Sequence, residues 1–141
     1  MSEPVPIEIT IENFESAAIP LSEFNHRAHV TVAYLYLRRF GFEEALARMR
    51  AGIHGFNAAH AVAATPTGGF HETVTVAWMR LIAGAMGSYG PGADAAAFFE
   101  EHPYLLCRTL LRVFYSRDRI MSAEARAGFV APDLAALPGS A

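Results

Sequence analysis

Residues 22–60 decide the fold, and they read SEFNHRAHVTVAYLYLRRFG followed by FEEALARMRAGIHGFNAAH. Ser22 offers a hydroxyl that can cap free N–H groups, so it predicts the start of a helix. This helix is expected to run to Phe40 and to stop at Gly41. A second helix is expected over residues 42–60, and the very short connection predicts an antiparallel hairpin.

Each of these two helices has a row of apolar side chains at helical spacing, which predicts one buried face per helix. The rows are Val30, Ala33, Tyr34 and Leu37 in the first helix, and Leu46, Met49, Ile53 and Phe56 in the second.

Further helices are expected after a loop at residues 61–69, which contains Thr65-Pro66 and two glycines. The predicted helices are about Phe70 to Met86, Asp94 to about Glu101, Pro103 to Tyr115, and two turns from Ser122. A break rich in glycine separates the first two of them, at residues 87–92.

The N-terminal segment from Val5 to Asn13 alternates apolar and polar residues, which is typical of a strand. We therefore expect an extended arm over residues 1–20. The strand would lie along the helices, pair with a short late segment, or pair with a second subunit, because a lone strand cannot satisfy its own backbone groups.

The length of 141 residues fits one domain, residues 1–141, with a short tail at 138–141. The predicted class is all-α: a compact single-domain bundle of four main helices and several short ones, with the N-terminal strand or arm. A chain of this size buries roughly 68–70% of its extended surface, so its core needs neither metal nor disulfide.

Composition excludes several classes of function. A net charge of −3 argues against nucleic-acid binding, which depends on basic surface. No apolar run reaches the ~18–20 residues of a membrane span, and MSEPVPIEIT does not resemble a secretory signal, so we expect a cytoplasmic protein. Cys107 is the only cysteine and is expected in the core. The absence of lysine excludes Schiff-base chemistry.

His26 and His29 are the first candidates for chemistry. Three residues apart on a helix, they share one face and can reach a common ion. Imidazole is the commonest protein ligand for transition metals. The alternative interpretation is a pair of core or capping histidines that hydrogen-bond to the backbone.

His71 and Glu72, at the start of the third helix, add an imidazole and a carboxylate. If the helices run up, down and up, these residues lie level with His26 and His29 at one end of the bundle. Glu72 would then be a fourth ligand, a partner of a ligand imidazole, or a general base on metal-bound water. Alternatively, Glu72 complements the helix dipole and His71 is a surface residue.

These residues predict a mononuclear site with His26, His29 and His71 as ligands and Glu72 as the catalytic base. Neither the H-E-x-x-H pattern nor a duplicated Glu-x-x-His pattern is present. Three nitrogens and an open position suit catalysis by a divalent metal, with zinc expected first and copper or iron next.

Arg117 and Arg119 are candidates for binding the carboxylate or phosphate of a small-molecule substrate. The alternative for them is a surface cluster with Asp118 that neutralises carbonyls at a helix end.

The chain resembles a set of small bacterial helical proteins of uncharacterised activity, over about residues 22–137. The resemblance implies that the histidine segments and the C-terminal segment belong to one architecture, and it implies no substrate. It rests on Phe24-Asn25-His26 and His29, on His71-Glu72-Thr73, on Tyr115-Ser116, on Ser122 and Glu124-Ala125-Arg126, and on Pro132-Asp133-Leu134.

Two functions follow as hypotheses. The first is a metal-binding protein, or a small metalloenzyme that uses the three-histidine site for hydrolysis or a related small-molecule transformation. The second is a non-catalytic helical module in which the histidines are structural and the apolar rows and N-terminal strand form a homodimer. A weaker third hypothesis is a ligand-binding protein in which Arg117 and Arg119 hold an acidic small molecule.

Overall fold

The computed structural model of the protein describes residues 6–139, and all regular secondary structure in this range is helical. Within these residues there is no β-strand, only an isolated bridge between Thr65 and Gly68, so the predicted all-α class is confirmed. The α-helices are α1 (Ile11–Glu15), α2 (His26–Arg39), α3 (Phe42–Ala59), α4 (Glu72–Tyr89), α5 (Ala95–Glu101), α6 (Arg117–Ile120) and α7 (Ala123–Ala127); the 3-10 turns are Leu21–Glu23, Pro103–Leu106 and Leu110–Val113.

Side-chain caps fix the starts of most helices. The predicted helix starts at Asp94 and Ser122 are confirmed, since the side chain of each accepts a hydrogen bond from a backbone N–H of the helix that follows. The prediction for Ser22 was wrong. Helix α2 begins at His26 because Oδ1 of Asn25 accepts from the N–H of Ala28 at 2.9 Å, while Ser22 lies in a separate 3-10 turn.

The predicted N-terminal strand is not present in the part of it that the structure describes. Residues 6–10 have no regular secondary structure, and Val5 lies outside the described residues. Residues 11–13 are helical because Oγ1 of Thr10 caps α1 by accepting from the N–H of Asn13 at 3.0 Å. The helix buries Ile11 and Phe14, which a strand would place on opposite faces.

The predicted helix from Pro103 to Tyr115 is also wrong, because two 3-10 turns separated by a break replace it. An α-helix would use the carbonyl of Leu105 within its own backbone ladder. Here that carbonyl accepts instead from the ring of His26 at 3.0 Å, a contact across 79 positions of sequence. A tertiary contact therefore competes with the local helical pattern. Cys107, at the end of the first turn, is exposed rather than buried as expected.

Helix α2 is the centre of the fold and contacts both α3 and α4. Phe40 and Gly41 are the only residues between α2 and α3, as the predicted hairpin requires. The starts of α2 and α4 and the end of α3 contribute to one cavity, so they lie at the same end of the bundle. No helix within residues 6–139 is both long and apolar enough to cross a membrane.

Phe14 connects α1 to the main helices and is completely buried. Its ring lies against the backbone of α3 at Gly52, where an added Cβ would overlap Cε2 of Phe14. The same ring contacts Phe24 at a centroid distance of 5.3 Å and Phe56 at 5.9 Å. The missing side chain at Gly52 thus lets α1 approach α3 closely.

We predict that Gly52→Ala destabilises the protein by about 1–3 kcal/mol, because the added methyl group displaces Phe14 from a filled core. Gly55→Ala on the same helix is the matched control, since no atom lies within 4 Å of its added Cβ. It should stabilise by about 0.5–1 kcal/mol through lower backbone entropy. Urea denaturation measures both; equal effects of the two substitutions would contradict the close packing.

Candidate functional site

A cavity of about 300 Å³ lies between α2, α3 and α4 at one end of the bundle. The turn at residues 21–24 and the loop at residues 62–71 complete its wall. Its lining is mostly aliphatic and aromatic, with a few polar side chains. The lining residues are Leu21, Phe24, His26, His29, Val30, Ala33, Met49, Ile53, Phe56, Asn57, Val62, Gly69, Phe70, His71, Val74, Thr75, Trp78 and Met79.

His26, in the first turn of α2, has a fixed orientation. Its Nε2–H donates to the carbonyl oxygen of Leu105 at 3.0 Å, and its ring lies 4.5 Å from the ring of Trp78. The donor role of Nε2 leaves the lone pair of the neutral imidazole on Nδ1. Burial lowers the pKa of His26, and the charge of Arg108 adds to this, although the bond to Leu105 opposes it.

His29 lies one turn further along α2, in the wall of the cavity. Within residues 6–139 neither of its ring nitrogens has a hydrogen-bond partner, and its ring stacks at 4.8 Å on that of Phe24. Burial, with a smaller effect of His26, lowers its pKa to about 4. Its imidazole is therefore neutral at pH 7 and has one donor and one acceptor to offer.

His71 uses both of its ring nitrogens within the protein. Nδ1 accepts from the backbone N–H of Val74 at 3.2 Å, so His71 is the cap of α4. Nε2–H donates to the carbonyl of Ile120 at 2.8 Å. Because His71 is the cap, α4 begins at Glu72 and not near Phe70 as predicted. Burial lowers the pKa of His71, which keeps the ring in the neutral form that a cap requires.

Glu72 is engaged in an ion pair with Arg50 of α3. The two carboxylate oxygens accept from Nε and Nη2 of Arg50 at 2.8 and 2.7 Å. The hydrogen bond to Glu72 raises the pKa of this arginine. Glu72 is not among the residues that line the cavity. The pair therefore ties the start of α4 to α3.

The four residues predicted as a metal centre thus come together only in part. His26, His29 and His71 share one cavity wall, as the element order predicts, but His71 and Glu72 already have protein partners. Within residues 6–139 no group of three or more His, Cys, Asp or Glu side chains is arranged to hold a metal ion. The metal site stays a prediction.

Arg117 and Arg119 lie outside the cavity. Arg117 is exposed at the start of α6, and Nε of Arg119 donates to the carbonyl of Ala131. The neighbouring Ser116 donates from its backbone N–H to Asp133 at 2.8 Å. These contacts join α6 to the C-terminal segment. The role of Arg117 and Arg119 in substrate binding stays a prediction.

Arg126, in α7, anchors the loop that borders the cavity. Its Nη1 lies 3.2–3.4 Å from the carbonyls of Gly68, Gly69 and Phe70. Gly69 has a φ of +85°, and an added Cβ would approach the Ala64 backbone at 3.0 Å. One guanidinium and one left-handed glycine therefore place Phe70 in the cavity wall.

Sequence reasoning missed Asn57, the polar cavity residue on α3. The sequence did contain a signal for Asn57, because this residue follows Ile53 by four positions and so continues the buried row of that helix. The remaining loop residues of the cavity, Val62 and Gly69, had no such signal. Val62 is placed by the hydrogen bond from its backbone N–H to the carbonyl of Asn57 at 2.8 Å, and Gly69 by the contacts of Arg126 with the carbonyls of residues 68–70.

We predict that the free energy of unfolding falls as the pH is lowered from about 6.5 to about 4. Unfolded histidine binds a proton near pH 6.5, whereas His29 in the folded protein does so only near pH 4, so the unfolded state binds more protons in this window. His29 alone contributes up to about 3 kcal/mol of this loss. Urea denaturation at several pH values measures it.

His29→Leu should reduce this slope with pH. His54→Leu, which replaces a histidine exposed at the surface, is the matched control. An unchanged slope in His29→Leu would show that His29 does not titrate as its burial requires.

Comparison of the chain with protein-family models, curated proteins and solved structures found no match. What the cavity offers is a mostly apolar wall, a neutral His29 with free hydrogen-bonding capacity, and two histidines that are held by backbone carbonyls.

Proposed function

We propose that the protein binds a small, mainly apolar molecule in the cavity between α2, α3 and α4. The observation that carries this proposal is His29, an imidazole without a hydrogen-bond partner in residues 6–139 in a mostly apolar wall. Ligand sites in proteins are concave, mostly apolar, and contain a few polar groups that orient the ligand. The cavity has this composition, and its volume of about 300 Å³ is at the lower end of the usual range.

Two interactions would contribute to the affinity of such a ligand. Apolar surface that a ligand covers contributes roughly 25 cal/mol per Å². A hydrogen bond between the ligand and His29 contributes about 1 kcal/mol, because it satisfies a group that is partly removed from water. His26 supports the site by a different route, since its bond to Leu105 and its contact with Trp78 hold two sides of the cavity together.

Metal binding is the second candidate, with zinc expected first and copper or iron next. His26 and His29 favour it, because they lie one turn apart in the same wall and Nδ1 of His26 has no hydrogen-bond partner in residues 6–139. The full site, with His71 as third ligand and Glu72 as base for hydrolysis, also requires these two residues to leave Ile120 and Arg50. This cost makes the apolar ligand the better supported proposal.

We predict that Ala33→Met weakens the binding of small cyclic probes at least tenfold and raises the melting temperature. Ala33 is 3% exposed and lines the cavity, so a longer side chain fills the space that a ligand would occupy. Indane, 2-indanol, indane-2-carboxylate and 2-aminoindane serve as probes of one skeleton. Fluorescence of Trp78, the only tryptophan, reports occupancy because it lies in the cavity wall.

The matched control is Ala47→Met, which makes the same change at an exposed position of α3. It should leave probe binding unchanged. The proposed function would be contradicted if none of the four probes showed saturable binding. It would also be contradicted if the Ala33→Met variant bound the probes as tightly as the original protein.

We predict further that the affinity of the bound probe is unchanged when a strong chelator is present, because the cavity wall itself makes the contacts. Elemental analysis of untagged protein after equilibration with zinc distinguishes metal binding from the binding of an apolar ligand. About one metal ion per chain, lost in the double variant His26→Ala/His29→Ala with its helical circular dichroism retained, would favour the metal site over the apolar ligand.

A further inference from the structure

Charged side chains are absent from the cavity wall in the part of the chain that the structure describes. Among residues 6–139, no aspartate, glutamate, lysine or arginine lines it. The ion pair at the start of α4 joins Arg50 and Glu72 by two hydrogen bonds, so these charges are already paired with each other. An ionised ligand group in this cavity would therefore leave water without meeting an opposite charge, which is strongly unfavourable.

Two arginines act on the histidines electrostatically but do not enter the cavity. The charge of Arg108 acts on His26, and that of Arg126 acts on His71. Arg126 is bonded to three carbonyls of the loop, and Arg108 is exposed to solvent. Their field opposes a cationic ligand, and neither guanidinium is placed to pair with an anionic one.

Aromatic rings form a large share of the wall. The ring centroids of Phe24 and Phe56 lie 4.4 Å apart, and that of Trp78 lies 4.5 Å from the ring of His26. Rings of this kind favour a flat partner, which they contact by offset stacking or edge to face. Phe70 adds a fourth aromatic ring from the loop.

We infer that the ligand of this cavity is an uncharged aromatic molecule with one hydroxyl, or a similar hydrogen-bonding group, that pairs with His29. This inference rests on the proposed function and specifies the class of its ligand. A neutral imidazole suits a hydroxyl because it accepts from the O–H at one nitrogen or donates to the oxygen from the other. The apolar rings enclose the remainder of the ligand.

The four probes test this inference by their order of affinity. We expect 2-indanol to bind about fivefold to tenfold more tightly than indane, as one hydrogen bond provides. Indane-2-carboxylate and 2-aminoindane, both charged at pH 7, should bind at least about a hundredfold more weakly than 2-indanol. A fifth probe, the saturated analogue hydrindan-2-ol, should bind about threefold to tenfold more weakly than 2-indanol. Titrations followed by Trp78 fluorescence measure all of them.

Variants identify the residue that pairs with the hydroxyl. His29→Leu should remove the preference for 2-indanol over indane, whereas His29→Gln, which retains hydrogen bonding, should keep much of it. Asn57→Leu tests the competing candidate, because Asn57 is the other polar side chain of the wall that has no hydrogen bond in the described residues. It should leave the preference intact, and circular dichroism verifies that each variant is folded.

The outcomes are distinct from those that test binding itself. If a charged probe binds as tightly as 2-indanol, or if the hydroxyl gives no advantage, the inference is overturned while the proposed function stands. Loss of the preference in Asn57→Leu but not in His29→Leu also overturns it. If none of the probes binds, the proposed function fails and the inference fails with it.

Discussion

The close approach of Phe14 to the backbone of α3 is the contact on which the rest of the structure depends. Gly52 has no side chain, so the ring can lie directly against the helix. From that position Phe14 contacts Phe24, Tyr36 and Phe56, which come from three different segments. Two of these rings, Phe24 and Phe56, then continue into the cavity wall. The packing of the short helix α1 thus influences the shape of the cavity, although α1 contributes no residue to the cavity wall.

The polar groups at this end of the bundle differ in whether they have a hydrogen-bond partner. His26 and His71 each donate to a carbonyl of a distant segment, at Leu105 and Ile120, and so hold the C-terminal half against α2 and α4. Glu72 is held by Arg50 in the same way. His29 has no such partner among the described residues. His26 and His29, which helical spacing places together, therefore differ: His26 is hydrogen-bonded to a distant carbonyl and His29 is not.

Much of the fold could be predicted from the sequence because α2, α3 and α4 bury regular apolar rows. Their order also predicted correctly that His26, His29 and His71 share one end of the bundle. The errors fall where local patterns are ambiguous. Residues 103–115 have helical spacing, but the carbonyl of Leu105 bonds to His26 instead of to its own helix. The alternation before Asn13 resembles a strand, but the cap at Thr10 starts a helix.

The sequence by itself determined the helical class, the main helix pairs and the candidate histidines, because these follow from periodicity and short connections. Only the tertiary structure decided which imidazole is free, since that depends on where distant carbonyls lie. The carbonyls of Leu105 and Ile120 accept from His26 and His71, whereas no described group forms a hydrogen bond with the ring of His29. Hydrogen-bond partners separated by 79 and 49 positions leave no local signal, so the chemistry of the cavity could not be deduced from residue spacing.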